Sequence, residues 1–532
     1  MKNNIKYLAT VAFASMSLVG CNDLDTQPEN NYVTSQEKQE AIASKPDLAS
    51  AGVVGISSAY NQYMAVYPSA HCDFGWPAAL MMLESCGTDL VADNNGYNWF
   101  ASAANYNLGT TNNYVNNLSW YYGYKIIGSA NDVLRNIDPE TTDPNLQLFA
   151  AQAYANRAYI YFSLAQLFQS TYKGNESKPC VPLITEENSD AAATEGCPRA
   201  TVEETYAQVL SDLDKAIKFL SESGLSVDKL ADTGAKRFVS LGTAYGLRAR
   251  VNLVMNNWQA AADDAAKAIT ESKATPYSIA EASVPAFANS DDHNCMWAIY
   301  IQEVDRVVTS GIVNWPSHMG SFNSNGYCSA GAWRYINRGL YATIPDSDCR
   351  KGWFLDENAE SKNLNSNYAA YVAQYGMPAY TQVKFGPYNN VIGTTTNAND
   401  IMLMRVEEMY LIQAEATAMA GNPAQGKQIL ENFVKTYRNP SYQCPANDAA
   451  SMQEEVWHQR RIELWGEGLA YFDLLRLNKG IDRRGGGWTK EWVYNIPAPL
   501  KPLLVPQGEV ETNLALGANN ETWSKPSPVD DF

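Results

Sequence analysis

The clearest pattern in the chain lies over residues 146–168, where Ala151, Ala155, Ala158, Phe162 and Ala165 recur at spacings of four, three, four and three. That period places them on one helix face, and small side chains there let a neighbouring helix come close. A second helix is expected over 201–220, opened by Thr201 with Glu204 three residues on, the two halves of a capping box. The design then returns. Ala153-Tyr154-Ala155-Asn156-Arg157-Ala158 is echoed 91 residues later by Ala244-Tyr245-Gly246-Leu247-Arg248-Ala249, which runs through Asn256-Asn257-Trp258 into an alanine-rich helix over 259–271. A third pair, 406–419 and 424–437, is parted by Gly421-Asn422-Pro423, and one long fourth helix is expected over 452–477. Trp120, Trp258, Trp457 and Trp465 fall on such helices and read as packing residues.

Helix, short turn, helix, with small residues at the contacts, resembles tetratricopeptide repeats. The repeats are divergent and interrupted, so the expected fold is mainly α: helix pairs over about 146–272 and 401–478 forming one scaffold rather than a free solenoid. Residues 68–115 and about 276–400 break the period and are rich in Gly, Asn, Tyr and Trp. Unpatterned segments of that length are usually functional, so both are expected to be loop-rich ligand-binding insertions with a few short strands, all within one domain over 46–532.

The N-terminus changes the picture of where the protein works. Lys2 and Lys6 precede an apolar stretch over 7–19, too short to span a bilayer, and Leu18-Val19-Gly20-Cys21 resembles a lipobox. The reading is a signal peptide over 1–20, acyl chains on Cys21, and a polar tether over 21–45. Cleavage removes two lysines and takes the formal charge from −18 to −20. Such acidity argues against nucleic acid, whose affinity rests on Lys and Arg against phosphate. Export permits disulfides, and Cys72 with Cys86, and Cys180 with Cys197, are close enough in sequence to staple loops. There is no Cys-x-x-Cys and only four histidines, so a structural zinc site is not expected.

Chemistry-bearing motifs are few. No Gly-x-Ser-x-Gly, His-Glu-x-x-His, Walker-type loop or Gly-x-Gly-x-x-Gly occurs. Asp346, Asp348 and Glu357 hold positions one, three and twelve of an EF-hand-like loop, but Arg350 and Lys351 stand where a ligand and a glycine belong, so Arg350 is expected to pair with Asp348 instead. The composition is marked by 32 Tyr and 13 Trp against 15 Phe. Flat rings beside hydrogen-bonding edges suit sugar binding: rings stack on the apolar sugar face while Asn, Asp and Arg read hydroxyls. Two clusters fit. One is Asp93, Asn94, Tyr97, Asn98 and Trp99, with Asp89 beside them; the other is Trp315, Tyr327, Trp333, Arg334 and Tyr335.

Several motifs in order resemble the SusD/RagB family of surface lipoproteins. They are Leu24-Asp25 and Pro28 after the lipobox, the helix from Arg157 to Leu164, Pro198-Arg199-Ala200-Thr201-Val202-Glu203-Glu204 leading to Leu213-Asp214-Lys215-Ala216, and Met404-Arg405-Val406-Glu407-Glu408 with Ala414-Glu415-Ala416. The most specific runs from Arg460-Arg461-Ile462-Glu463-Leu464 through Glu467-Gly468 to Phe472-Asp473-Leu474-Leu475-Arg476, and Pro506, Glu509 and Asn513 close the series. Gln459 and Ala470 depart from the family pattern, in a stretch expected to be structural. The resemblance implies a non-enzymatic, cofactor-free protein on the outer membrane, set as a hinged lid on a SusC-like TonB-dependent transporter and delivering oligosaccharides to it. Peptide capture is the alternative within the family. A secreted glycoside hydrolase, marked by two carboxylates about 5–9 Å apart in a cleft, is a reading from another class, as is a repeat scaffold that binds only protein.

Overall fold

The computed structural model describes residues 35–532; the lipobox, Cys21 and the first part of the tether lie outside the described residues. The chain divides into two units. The first, ending at Leu48, contributes a helix, Ser35–Ser44. The second, from Ala49 on, is built on eleven main helices: α1 (Ser50–Tyr60), α2 (Trp76–Cys86), α3 (Tyr114–Leu134), α4 (Pro144–Phe168), α5 (Val202–Ser223), α6 (Leu241–Val254), α7 (Trp258–Ser272), α8 (Val406–Met419), α9 (Pro423–Tyr437), α10 (Ala449–Glu463) and α11 (Ala470–Arg476). No helix among the described residues is long and apolar enough to cross a membrane.

Local chemistry sets the helix ends. Asp143 caps α4 by accepting the N–H groups of Asn145 and Leu146, with Pro144 at the first helical position. The Thr201–Glu204 capping box opens α5, and Gly224, in the left-handed region at φ 61°, closes it. Helices then pack in chain order: α3 on α4, α4 on α5, α6 on α7, α7 on α8, and α8 on both α9 and α10. The duplicated motif reappears as duplicated ion pairs. Arg157 of α4 grips Asp212 of α5 with two hydrogen bonds of 2.8 Å, and Arg248 of α6 grips Asp264 of α7 at 2.8 and 2.7 Å. Gly246, which replaces the Ala155 of the first copy, makes room for Met404; a Cβ there would lie 2.6 Å from the sulfur.

The fourth helix is not continuous as the sequence suggested. It breaks between Glu463 and Ala470, where Gly466 and Gly468 take φ of 78° and 83°. What wins over helical propensity is a side chain from α2. The Glu84 Oε1 atom accepts the N–H groups of Gly468, Leu469 and Ala470 at 2.7, 3.0 and 3.4 Å, capping α11. Its Oε2 is buried without a partner. Burial pushes the Glu84 carboxyl up to about 7, against the pull of those N–H groups. A carboxyl raised in the folded state stabilises less as pH climbs from its unfolded value near 4.5 through 7. Glu84→Gln keeps the acceptor and removes the ionisation. Urea melts should show the variant gaining on the wild type, by roughly 2–3 kcal/mol, between pH 5 and pH 8. An identical gap at both pH values would contradict this account.

Four two-stranded antiparallel ladders complete the described residues: β1 (Leu90–Ala92) with β5 (Arg334–Ile336), β2 (Pro179–Pro182) with β3 (Arg199–Thr201), β4 (Cys295–Ile299) with β6 (Ile401–Arg405), and β7 (Ile481–Asp482) with β8 (Asn495–Ile496). The β4–β6 ladder returns the long insertion to the scaffold, because β6 runs straight into α8. Beneath that junction lies a buried ion network. Glu463 takes Arg438 through two bonds of 2.8 Å, Arg405 at 3.1 Å and Arg350 at 3.4 Å. Glu467 takes Arg405 and Lys384, and Glu407 joins Arg438 to Asn294 and the Tyr277 N–H of the insertion. Arg350 holds Asp348 through both oxygens, as its place in the EF-hand-like loop led us to expect, and also donates to Gln459 at 2.6 Å.

The expected disulfides are absent. Cys72, Cys86, Cys180 and Cys197 are all free and buried. Each thiol is sealed separately: Cys86 Sγ sits 3.8 Å from the Ala103 carbonyl and Cys197 Sγ 3.6 Å from that of Leu183. Burial pushes the thiols of Cys72, Cys86 and Cys180 up to about 12, which suppresses the thiolate that oxidation requires.

Candidate functional site

The two aromatic clusters read from the sequence, more than 200 residues apart, meet through the β1–β5 ladder, in which Val91 faces Tyr335 and Ala92 faces Arg334. The ladder is bolted to the scaffold. Arg461 of α10 grips the Asp89 carboxylate at 2.9 and 2.6 Å, and the Trp465 indole N–H donates to the Asp89 carbonyl at 2.9 Å. From the other side Arg483, lying 3.7 Å from the centre of the Trp488 ring, donates to the carbonyls of Ser85, Gly87 and Ala104.

The loop after β1 is shaped by its own asparagines. Asn95 accepts the Tyr97 N–H at 3.0 Å; Asn98 accepts the Phe100 N–H at 3.1 Å and Arg334 at 3.2 Å, and donates to the Asp93 carbonyl at 3.0 Å. Asp93 is held by the Tyr335 hydroxyl at 2.6 Å. With the backbone so fixed, Tyr97 stands 53% exposed, Asn94 is exposed and Trp99 is half-buried. The His71 ring stacks on Trp99 at 5.0 Å and 13°, while Tyr327 hydrogen-bonds His71 and lies 6.2 Å from Tyr97 and 6.4 Å from Trp99. Beneath, Tyr327 stacks on buried His318 at 4.8 Å. Burial, and then the charge of Arg334, push His318 down to about 3, so its imidazole is uncharged at ordinary pH.

Tyr327 is itself buried, and so are the remaining candidates. Trp333 and Arg334 are buried at 4% and 1% exposure, and Trp315 packs edge-on against Phe385 at 4.9 Å. Asn98 and Tyr335 are buried too and act through the bonds just described. His71 escaped the sequence reading. It sits in an irregular stretch with no period, and its only signal was the surrounding density of tyrosines.

Chemically, the group offers flat faces beside polar edges and no free acid–base pair. Asp89 and Asp93 are the carboxylates of the ladder, and both are already engaged, one by a guanidinium and the other by a phenol. No cluster of His, Cys, Asp and Glu among the described residues has the arrangement of a metal site.

Comparison with known proteins adds a lineage. A family model described as starch-binding and associating with the outer membrane matches residues 76–253, and the SusD family model matches residues 333–502. A SusD-like protein, P2, of Formosa agariphila is 23% identical over 519 residues, covering 89% of this chain and 91% of its own. A second from that organism, P38, is 22% identical over 69% of this chain and 73% of its own. Among solved structures, a SusD-like carbohydrate-binding protein from Bacteroides vulgatus superposes with a TM-score of 0.69 at 21% identity, covering 89% of this chain and 97% of that one. A SusD superfamily protein from Bacteroides thetaiotaomicron gives 0.67 at 21% identity, covering 89% and 99%.

Proposed function

The chain belongs to the SusD/RagB family, and on that premise we propose that it is a cell-surface glycan-binding lipoprotein. In this reading it is anchored to the outer membrane through Cys21 and hands oligosaccharides to a SusC-like TonB-dependent transporter. The observation that carries it is the aromatic group of exposed Tyr97, half-buried Trp99 and His71 and, beneath them, buried Tyr327, which is assembled from two distant segments joined by the β1–β5 ladder. Aromatic rings left at a surface, with Asn94 and Asp93 at their edge, match the two-sided character of a sugar ring. Asp89 and Asp93 are committed to Arg461 and Tyr335, which speaks for capture over hydrolysis.

The test is calorimetric titration of the protein from residue 22 onward against plant, host and microbial glycans. Saturable heat without release of shorter products supports capture. Silence across the panel from a folded protein would overturn the glycan reading in favour of peptides, and reducing ends appearing with time would overturn the non-catalytic part.

A further inference from the structure

A cleft of about 610 Å³ opens between residues 277–293 and the turn at 387–390, and none of its lining belongs to the aromatic group. Its size falls within the range of about 300–1,000 Å³ usual for small-ligand sites, but its wall is unusually polar for one. The polar groups are held before any ligand arrives. Glu281 takes His293 Nε2 at 2.9 Å and the Ser278 N–H and hydroxyl at 2.8 and 2.7 Å. Asp400 takes the N–H groups of Ser290 and Ile301, both at 2.8 Å. The Tyr388 hydroxyl donates to Glu303 at 3.0 Å, which fixes a half-buried ring at the rim beside exposed Asn389 and Asn390.

From this arrangement we propose that the cleft is a second ligand site, and that it takes a neutral saccharide. The choice of ligand rests on the glycan reading above; the existence of the site does not. Charge decides the class. Glu281, Asp291, Asp292 and Asp400 line the cleft, and neither lysine nor arginine does. An anionic ligand such as a uronate or sulfated glycan would shed its hydration against a wall whose one basic side chain, His293, is already paired with Glu281. A metal ion is not favoured either: Glu281 and Asp400 already satisfy three and two donors, and among the described residues the acids here, Asp291 and Asp292 included, do not have the arrangement of a metal site. Hydroxyl groups suit what remains: fixed acceptors with a spare lone pair on an oxygen, asparagine amides, and aromatic rings, with Tyr388 at the rim.

The experiment compares the wild type, Trp99→Ala, and Tyr388→Ala and Asn390→Ala each placed in the Trp99→Ala background. The probes are neutral gluco-, xylo- and manno-hexasaccharides, with hexagalacturonate as the acidic counterpart. Binding is read by calorimetry, and its place by hydrogen exchange over residues 284–293 and 387–391. A neutral hexasaccharide should protect both segments in Trp99→Ala, hexagalacturonate should not, and Tyr388→Ala should weaken that binding about tenfold or more. Tyr388 lies on a surface turn, so its loss leaves the fold intact. Absence of protection with every neutral probe, or affinity within twofold after Tyr388→Ala and Asn390→Ala, would overturn the proposal. So would protection by hexagalacturonate as strong as by the neutral sugars. If affinity survives Trp99→Ala undiminished but vanishes on Tyr388→Ala, the cleft stands and the aromatic group loses its assignment.

Discussion

Glu463→Ala should lower the stability of the folded chain by about 3–5 kcal/mol, the cost of removing one partner from a buried ion pair. Glu463 is fully buried, and its two oxygens receive Arg438, Arg405 and Arg350. Burial alone would raise its carboxyl, and the three guanidinium groups outweigh that, holding it far below the usual carboxylate range. Glu467, burial notwithstanding, is lowered by Arg405 and Lys384 in the same way. Deleting Glu463 leaves Arg438 with Glu407 alone among carboxylates, and strips Arg350 and Arg405 of one counter-charge each. Urea unfolding at pH 7 measures the loss, and Glu463→Gln, which retains a carbonyl acceptor, should lose less than Ala. Because both carboxyls are depressed in the folded state, their contribution is complete above the unfolded value near 4.5. It is then lost as pH falls through their lower folded values, so the gap between wild type and Glu463→Ala should narrow in acid. A loss under about 1 kcal/mol at pH 7 would show that the network is dispensable.

How much of this was legible beforehand follows from the range of the forces involved. The helix expected over 146–168 runs Pro144–Phe168, and the pair at 406–419 and 424–437 runs Val406–Met419 and Pro423–Tyr437. Those elements are set by period, caps and a proline, all local signals. The break in the fourth helix was not legible, because Glu84, nearly 400 residues earlier, supplies the cap. Gly466 and Gly468 were the visible hint, though isolated glycines are tolerated in helices. The ion network was equally hidden: Arg350, Lys384, Arg405, Arg438 and Glu463 look like surface charges in sequence, and only folding buries them together. The cysteine pairs failed for a related reason. Closeness in sequence says nothing about whether two thiols face each other, and these face separate carbonyls. The aromatic candidates were chosen by residue type, which does not tell a ring at the surface from one beneath it; Trp99 and Trp333 are alike in sequence and differ in depth.

That difference in depth separates the outcomes of two tryptophan substitutions. Trp99→Ala should weaken glycan binding by about 2 kcal/mol, on the order of thirtyfold, as removal of a central aromatic anchor does. The ring is half-buried, stacks on His71 and meets Tyr327 at a steep angle, so its loss also frees His71 from the stack that orients it. The fold should barely notice, since the loop keeps the Asn95 and Asn98 bonds and β1 keeps Arg461 and Trp465. Trp333→Ala reverses the balance: a side chain 4% exposed leaves a cavity worth about 3–5 kcal/mol, while the molecules that remain folded bind with nearly wild-type affinity. Calorimetry at a temperature where both variants are folded distinguishes them, and melting curves supply the other axis. Trp99→Phe should recover part of the affinity, because a smaller flat ring still stacks. Should Trp99→Ala bind the best glycan of the panel within twofold of wild type, ligand is not held on this group. Should Trp333→Ala lose affinity without losing stability, the site extends below the surface that Trp99 and Tyr97 define.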